Sequence, residues 1–380
     1  MEFSLTSDQE MIIKTARDFA QKKLKPVAAH CDETGNINKG NLKELGRLGF
    51  FSMVVPEEEG GAGMDYVTYA HCMIEFSKAC ASTAVILSVH NSLCLDIMRH
   101  FANDTHKKKY LDDMLTGKKI AAFSLTEPNA GSDATEISLN AKLDGDHYIL
   151  NGTKCFVTNG DLADIYFVFG TVNKELGSKG TVCFLVEKGT PGFSIGKHEK
   201  KMGLKASPTT ELIFENAKVP VANLIGEEGR GIKIALSILE GGRIGIAAQA
   251  IGIAEAAYEA AKSYSKERVQ FKKPLCANQA IAFKLADMLT RIEAAKYLTY
   301  RAAWVKDQGK KPTLEASMAK LFASETAQFV TYEAVQIHGG YGYIVEYPVE
   351  RYFRDARVTT IYEGTSEIQR IVISNNLLKN

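Results

Sequence analysis

Cysteine is scarce and scattered. Seven residues, at positions 31, 72, 80, 94, 155, 183 and 276, fall in 380 without a C-x-x-C spacing. That argues against a zinc site or a disulfide framework and fits a reducing compartment. The eight histidines are dispersed, which supports neither a metal cluster nor a Ser-His-Asp arrangement. No charge sign dominates: 46 Lys and Arg face 45 Asp and Glu, so no overall field draws in nucleic acid or an anionic membrane. Residues 1–5 have no basic segment followed by an apolar one, as a signal peptide would. The apolar run 84–95 is too short and too polar to span a bilayer. Internal repeats and low-complexity tracts are missing as well. The expectation is a soluble, cytoplasmic protein of two or three domains with a large core.

The apolar period changes twice along the chain. Up to residue 121 it is helical, beginning with Met11, Ile12, Ala16, Phe19 and Ala20 behind a cap at Ser7 or Asp8. Further helices are predicted over 41–48, 64–78, 83–101 and 107–115. The 83–101 helix is nearly uncharged, hence buried on most sides, with Asn91 and Asp96 as polar exceptions. Asp96 faces either a substrate cavity or a partner. From 122 to 228 the period is two: 138–143 alternates, Asp144-Gly145 turns, 148–150 returns, and Asn151-Gly152 turns again. With strands at 165–169, 182–186 and 212–214, this reads as an antiparallel β-sandwich or barrel. From 229 to 380 the chain is helical again, over 231–266, 278–308, 314–338 and beyond Gly364, as in a four-helix bundle. Gly241, Gly242, Gly245 and Gly252 permit close helix crossings at a cost of about 1 kcal/mol each against Ala. The whole reads as an α+β multidomain chain with more apolar helix surface than one copy covers, so oligomerisation is expected. The glycines of 226–231 lack the G-x-G-x-x-G order and a βαβ unit, and make a helix-entry turn.

The chain is organised around 354–370. There Glu363 follows Ile361-Tyr362 and precedes Gly364, a residue that lets backbone pass close to a ligand. Thr365 and Ser366 can cap the terminal helix. Apolar neighbours raise a carboxyl pKa, and a strengthened base suits abstraction of a weakly acidic C–H proton. On these residues alone a Glu in a solvated loop is equally open. A second run, Phe123-Ser124-Leu125-Thr126-Glu127-Pro128-Asn129-Ala130-Gly131-Ser132-Asp133, ends a strand in loop-forming residues. Phe156-Val157-Thr158-Asn159 follows, where spacing alone puts Phe156 in the core. Glu240 and Arg243 lie three apart in a helix, which read physically is an i,i+3 pair. Arg268-Val269-Gln270-Phe271-Lys272-Lys273-Pro274 with Gln279, and Gln336-Ile337-His338-Gly339-Gly340, read alone as a solvated basic run and a glycine-rich helix end.

Taken together and in this order, these segments resemble the flavin-dependent acyl-CoA dehydrogenases, with the short-chain, butyryl-CoA branch the nearest likeness. The resemblance implies three domains, over 1–121, 122–228 and 229–380. It makes Glu363 the catalytic base that takes the α-proton of an acyl-CoA thioester while the β-hydride passes to the flavin of FAD. In the family the amide of the base and a ribityl hydroxyl donate to the thioester carbonyl; losing one such donor costs about 2.7–4 kcal/mol. Phe123, Leu125, Thr126, Gly131, Ser132, Phe156 and Thr158 would bind FAD, as would Thr365 and Glu367. Ser132, Glu240, Arg243 and Gly364 would meet the acyl-CoA. Arg268, whose fork suits phosphate, with Gln270, Phe271, Gln279, Gln336, Gly339 and Gly340 would reach the FAD of a neighbouring subunit in a homotetramer. Three departures stand out: Phe156 replaces a frequent Trp, Glu240 a usual Asp and Lys272 a usual Gly. Gly242 occupies the position at which branched- and long-chain members carry their base, leaving Glu363. Electrons would pass to an electron-transferring flavoprotein. Rival readings are a branched or cyclic acyl-CoA dehydrogenase, an enoyl-CoA reductase, and a non-catalytic helical assembly protein.

Overall fold

The computed structural model describes residues 4–378. Its first part is helical: α1 (Ser7–Phe19), α2 (Ala28–Thr34), α3 (Lys39–Arg47), α4 (Tyr66–Ala79), α5 (Ala81–Val89), α6 (Asp96–His100) and α7 (Asp104–Leu115). The cap of α1 is Thr6, not Ser7 or Asp8. Its hydroxyl accepts from the Gln9 amide while the Gln9 side chain bonds back to the Thr6 amide, a reciprocal box. The expected continuous helix over 83–101 is instead α5 and α6 joined by a π-helical turn, His90–Leu95. Its wider winding is a feature often found near functional sites. Asn91 within it is fully spoken for, accepting from the Met53 amide at 2.8 Å and donating to the Phe50 and Leu87 carbonyls. Asp96 has partners: the Tyr66 hydroxyl donates to it at 3.3 Å, and Arg99 and Lys306 each lie 3.9 Å away.

Seven strands follow: β1 (Ala121–Ser124), β2 (Asn140–Asp144), β3 (His147–Thr158), β4 (Ile165–Thr171), β5 (Thr181–Glu187), β6 (Phe193–His198) and β7 (Thr209–Pro220). They form one sheet in the order β1-β4-β2-β3-β7-β6, with β5 also on β4. Pairing is mostly antiparallel, but β1 runs parallel to β4, so the sheet is mixed. The predicted turn at Asp144-Gly145 joins β2 to β3. Asn151-Gly152 is not a turn; it lies within β3 opposite a bulge in β7, where Glu215 and Asn216 face Asn151 alone and the register slips between Leu150 and Gly152. The Asn151 side chain is held by Asn216 across the bulge, accepting from its amide at 2.8 Å, and Gly152 has φ +145° with Leu139 against it. Strand β4 reads as a continuous apolar run because both faces are covered. Ile165, Phe167 and Phe169 join the helical core, while Tyr166 and Val168 enter the separate core of the β-region.

The chain then returns to helix: α8 (Gly231–Glu267), a small hairpin of β8 (Val269–Gln270) and β9 (Lys273–Pro274), α9 (Gln279–Asp307), α10 (Thr313–His338), α11 (Val349–Ala356) and α12 (Ser366–Leu377). The apolar spacing located α8, α9, α10 and α12; the hairpin and α11 are too short to carry a period. α8 packs against α4, α9 and α10 and forms the spine of the molecule. A Cβ on Gly252 would lie 2.5 Å from the Ile74 carbonyl of α4, so that crossing requires its absence. Ala81–His100 and α8 are long and apolar enough to cross a membrane, yet their apolar windows are 100% and 83% buried inside the fold.

Candidate active site

Glu363 sits in the short connection between α11 and α12, above α8. Its backbone takes φ +52°, unusual for a residue with a Cβ. Two features of the local sequence hold it there. Thr365 caps α12 by accepting from the Ile368 amide, and the buried Gln369 side chain donates to the Gly364 carbonyl at 2.9 Å. On the other side, the Tyr362 hydroxyl donates to Gln249 of α8, which in turn donates to the Ala81 carbonyl at 2.9 Å.

The carboxylate points at α8. One oxygen, Oε2, is sealed from solvent and has no hydrogen-bond partner. A Cβ at Gly242 would lie 2.2 Å from that oxygen and 2.8 Å from Leu93 Cδ2, so a side chain at 242 and the Glu363 carboxylate compete for one space. Burial pushes the Glu363 pKa up to about 7, against the pull of the Lys320 and Arg243 cations. The carboxyl is thereby left to titrate near neutrality. Arg243 is itself buried and donates to Ser317 at 3.2 Å, with its Nε unpartnered. Glu240 accepts from the Thr313 hydroxyl. The i,i+3 ion pair expected of Glu240 and Arg243 is not formed among the described residues, because each has found a partner on α10.

A second surface is built from β1, β3 and the loop between β1 and β2. The Cys155 amide donates to the Thr126 carbonyl at 2.9 Å, which lays Leu125-Thr126 beside Phe156. Phe156 is not core: a register slip between Lys154 and Val157 and φ +56° turn its ring outward, 65% exposed. Phe123 and Leu125 are half-buried against the helical core, the Phe123 ring 5.0 Å from that of Phe169. Thr158 closes β3 half-exposed, and Gly131 and Ser132 lie exposed on the loop. Beneath this loop is an ion pair absent from the sequence reading. Lys154, wholly buried, meets Glu127 at 2.7 Å and donates to the Leu125 carbonyl at 2.8 Å. Glu127 also accepts from the Ser138 amide and hydroxyl and from the Leu139 amide.

The third group gathers elsewhere on the C-terminal helices. Arg268, Gln270, Gly339 and Gly340 line one cavity of about 440 Å³ with Tyr264, Ile337, His338 and Tyr341. Arg268 lies over the Tyr341 ring, 5.3 Å from its centroid. Phe271 and Lys272 form the tip of the β8–β9 hairpin, both at positive φ, as tight hairpin turns require. Phe271 is therefore thrown outward, 92% exposed. Gln279 begins α9, and Gln336 lies exposed near the end of α10. Glu367 is exposed on the first turn of α12. Sequence reasoning missed Lys320, whose Nζ donates to the Gly364 carbonyl at 2.7 Å. The available signal was a lone cation on an otherwise apolar, Ala-rich face of α10. All seven cysteines are free, and no cluster of metal-ligating side chains exists among the described residues.

Residues 6–118, 122–217 and 229–378 match the N-terminal, middle and C-terminal domains of acyl-CoA dehydrogenase, respectively. The chain is 48% identical to the short-chain specific acyl-CoA dehydrogenase of Clostridium acetobutylicum, covering 100% of both. It is 47% identical to the acryloyl-CoA reductase (NADH) of Anaerotignum propionicum, over 100% of this chain and 96% of the relative. Its fold superimposes on butyryl-CoA dehydrogenase from Megasphaera elsdenii with a TM-score of 0.97 and 49% identity, covering 100% of both chains. A chain in a solved structure of the electron transferring flavoprotein of Acidaminococcus fermentans gives 0.98 and 49%, again over 100% of both. With the three regions matched in order along a full-length relative, the chain belongs to the acyl-CoA dehydrogenase family.

Proposed function

We propose that this protein removes two hydrogens across Cα–Cβ of a short-chain acyl-CoA, with Glu363 as the base that takes the α-proton. The observation that carries the reading is the sealed, unpartnered Glu363 Oε2 opposite Gly242, with a pKa near 7. An oxygen without a partner can accept a substrate proton without first giving up a hydrogen bond, and a carboxyl of that pKa holds the proton once taken. The missing side chain at 242 keeps the carboxylate in place and weighs against the branched-chain subclass.

The residues present fit FAD. The outward Phe156 ring, the half-buried Phe123 and Leu125, and the polar Thr126, Thr158 and Ser132 make an apolar wall with a hydrogen-bonding rim, as a flat, polar-edged ring requires. Bound there, FAD would supply the acceptor for the hydride leaving Cβ. Thr365 and Glu367 would join that set, and Glu240, Arg243, Ser132 and Gly364 would meet the thioester and its CoA.

The cavity of Arg268, Gln270, Gly339 and Gly340, with Phe271, Gln279 and Gln336, would take the FAD of a neighbouring copy in a homotetramer. Phe283, Leu289 and Trp304 of α9, all exposed, offer apolar surface for such an assembly. Domain boundaries at 121/122 and 228/229, a cytoplasmic location and an electron-transferring flavoprotein as redox partner complete the proposal. The test is Glu363→Gln assayed by anaerobic flavin bleaching with butyryl-CoA. A fall of about 10²–10⁴-fold is expected; near-normal bleaching would overturn the assignment.

A second reading, reduction of an enoyl-CoA, is favoured by the relative named acryloyl-CoA reductase. Rates of butyryl-CoA oxidation and of enoyl-CoA reduction, measured on one preparation with each donor and acceptor, separate the two.

A further inference from the structure

A second buried charge stands behind Glu363. Lys320 lies on α10 among Ala316, Ala319 and Ala323, with no exposed surface. A lysine is rarely buried in this way unless something needs its charge. Its hydrogen bond goes to the carbonyl of Gly364, the residue directly after Glu363, at 2.7 Å. Glu363 itself is held at φ +52°, a conformation costing about 1–3 kcal/mol that persists only where its surroundings enforce it. Among the described residues, the titratable groups close enough to act electrostatically on the carboxylate are Arg243 from α8, Lys320 from α10, the Tyr69 hydroxyl from α4, the Cys94 thiol from the π turn, and Tyr362 beside it. Burial pushes the Tyr69, Tyr362 and Cys94 pKa values upward, so those three stay neutral. Among the described residues, charge compensation therefore comes from Arg243 and Lys320.

We propose that Lys320 is a positioning residue for Glu363. Its ammonium pins the Gly364 carbonyl, fixing the direction of the carboxylate, and its charge keeps that carboxylate ionised at neutral pH. This inference rests on Glu363 being the base. Burial also pulls the Lys320 pKa down to about 8, so the cation is lost as pH rises through that value.

The experiment compares Lys320→Gln, which keeps a donor but removes the charge, with Lys320→Arg, which keeps the charge. All forms are flavin-loaded. The first readout is the infrared titration of the Glu363 carboxyl, identified as the band lost in Glu363→Gln. The second is the pH dependence of solvent deuterium exchange at Cα of butyryl-CoA. In Lys320→Gln both midpoints are expected to rise by about one pH unit; in Lys320→Arg they are expected to stay close to wild type. An unmoved midpoint in Lys320→Gln overturns the role of Lys320. If Glu363→Gln itself exchanges Cα–H at the wild-type rate, the reading of Glu363 fails instead, so the two failures are distinguishable.

Discussion

Gly242→Ala is a one-carbon change whose effect on activity and on stability should part company. The added Cβ would sit 2.2 Å from Glu363 Oε2, 2.8 Å from Leu93 Cδ2 and 3.2 Å from Glu363 Cδ. Reaching even 3.0 Å requires the carboxylate oxygen to retreat by about 0.8 Å. It cannot do so freely, because Glu363 is tied through Gly364 to Lys320 and Gln369. A misplacement of about 1 Å costs on the order of 10²-fold in rate, or ~2.7 kcal/mol of barrier. Folding should respond differently. Replacing Gly by Ala inside α8 gains about 1 kcal/mol of helix propensity, offset by about 1–3 kcal/mol of overpacking against Leu93. The net change is within ~2 kcal/mol. The assay pairs kcat/KM for butyryl-CoA with the urea midpoint and the flavin content. Near-normal turnover in a folded, flavin-loaded variant would refute the argument that this oxygen, at this place, does the chemistry.

Glu363 also makes a prediction about stability. Its folded pKa, about 7, lies above the ordinary 4.5, so its contribution is fully present below pH 4.5 and is lost as pH rises through 7. Glu363→Gln should therefore gain about 1–3 kcal/mol over wild type above pH 7 and little below pH 5; equal denaturation midpoints across that range would contradict it. Lys154→Met strands Glu127 in the interior, and breaking such a pair costs about 3–5 kcal/mol. Chemical denaturation reads the loss, and the double variant with Glu127→Gln should recover part of it. No recovery would mean that the cost is packing and not stranded charge.

Much of the architecture was legible because periodicity survives in long elements. α8, α9 and α10 each run seven or more turns, long enough for an apolar pattern to declare itself. The resemblance of five segments to one family fixed on Glu363, and the connection that carries it bears the cap at Thr365 that the residues implied. Readings that failed did so where backbone geometry is non-repetitive. Asn151-Gly152 has the composition of a turn, yet β7 pairs on across it, and the misfit is absorbed as a bulge. Phe156 has the alternation of a core residue, but it sits in a bulge with Cys155 that turns the ring out. The π turn at His90–Leu95 breaks a helix that no proline or glycine marks.

By itself, the order of residues determined the three-part plan and nominated the carboxylate, since local periods and contiguous motifs are properties of neighbours in the chain. Only the tertiary structure decided what surrounds that carboxylate. Gly242 and Arg243 come from about 120 residues upstream and Lys320 from another helix; the resemblance placed the first two near the substrate, but no local pattern shows that all three meet at one carboxylate. The depth of burial that pushes Glu363 toward neutrality is likewise a property of packing. One and the same acid would be an ordinary surface group on a solvated loop.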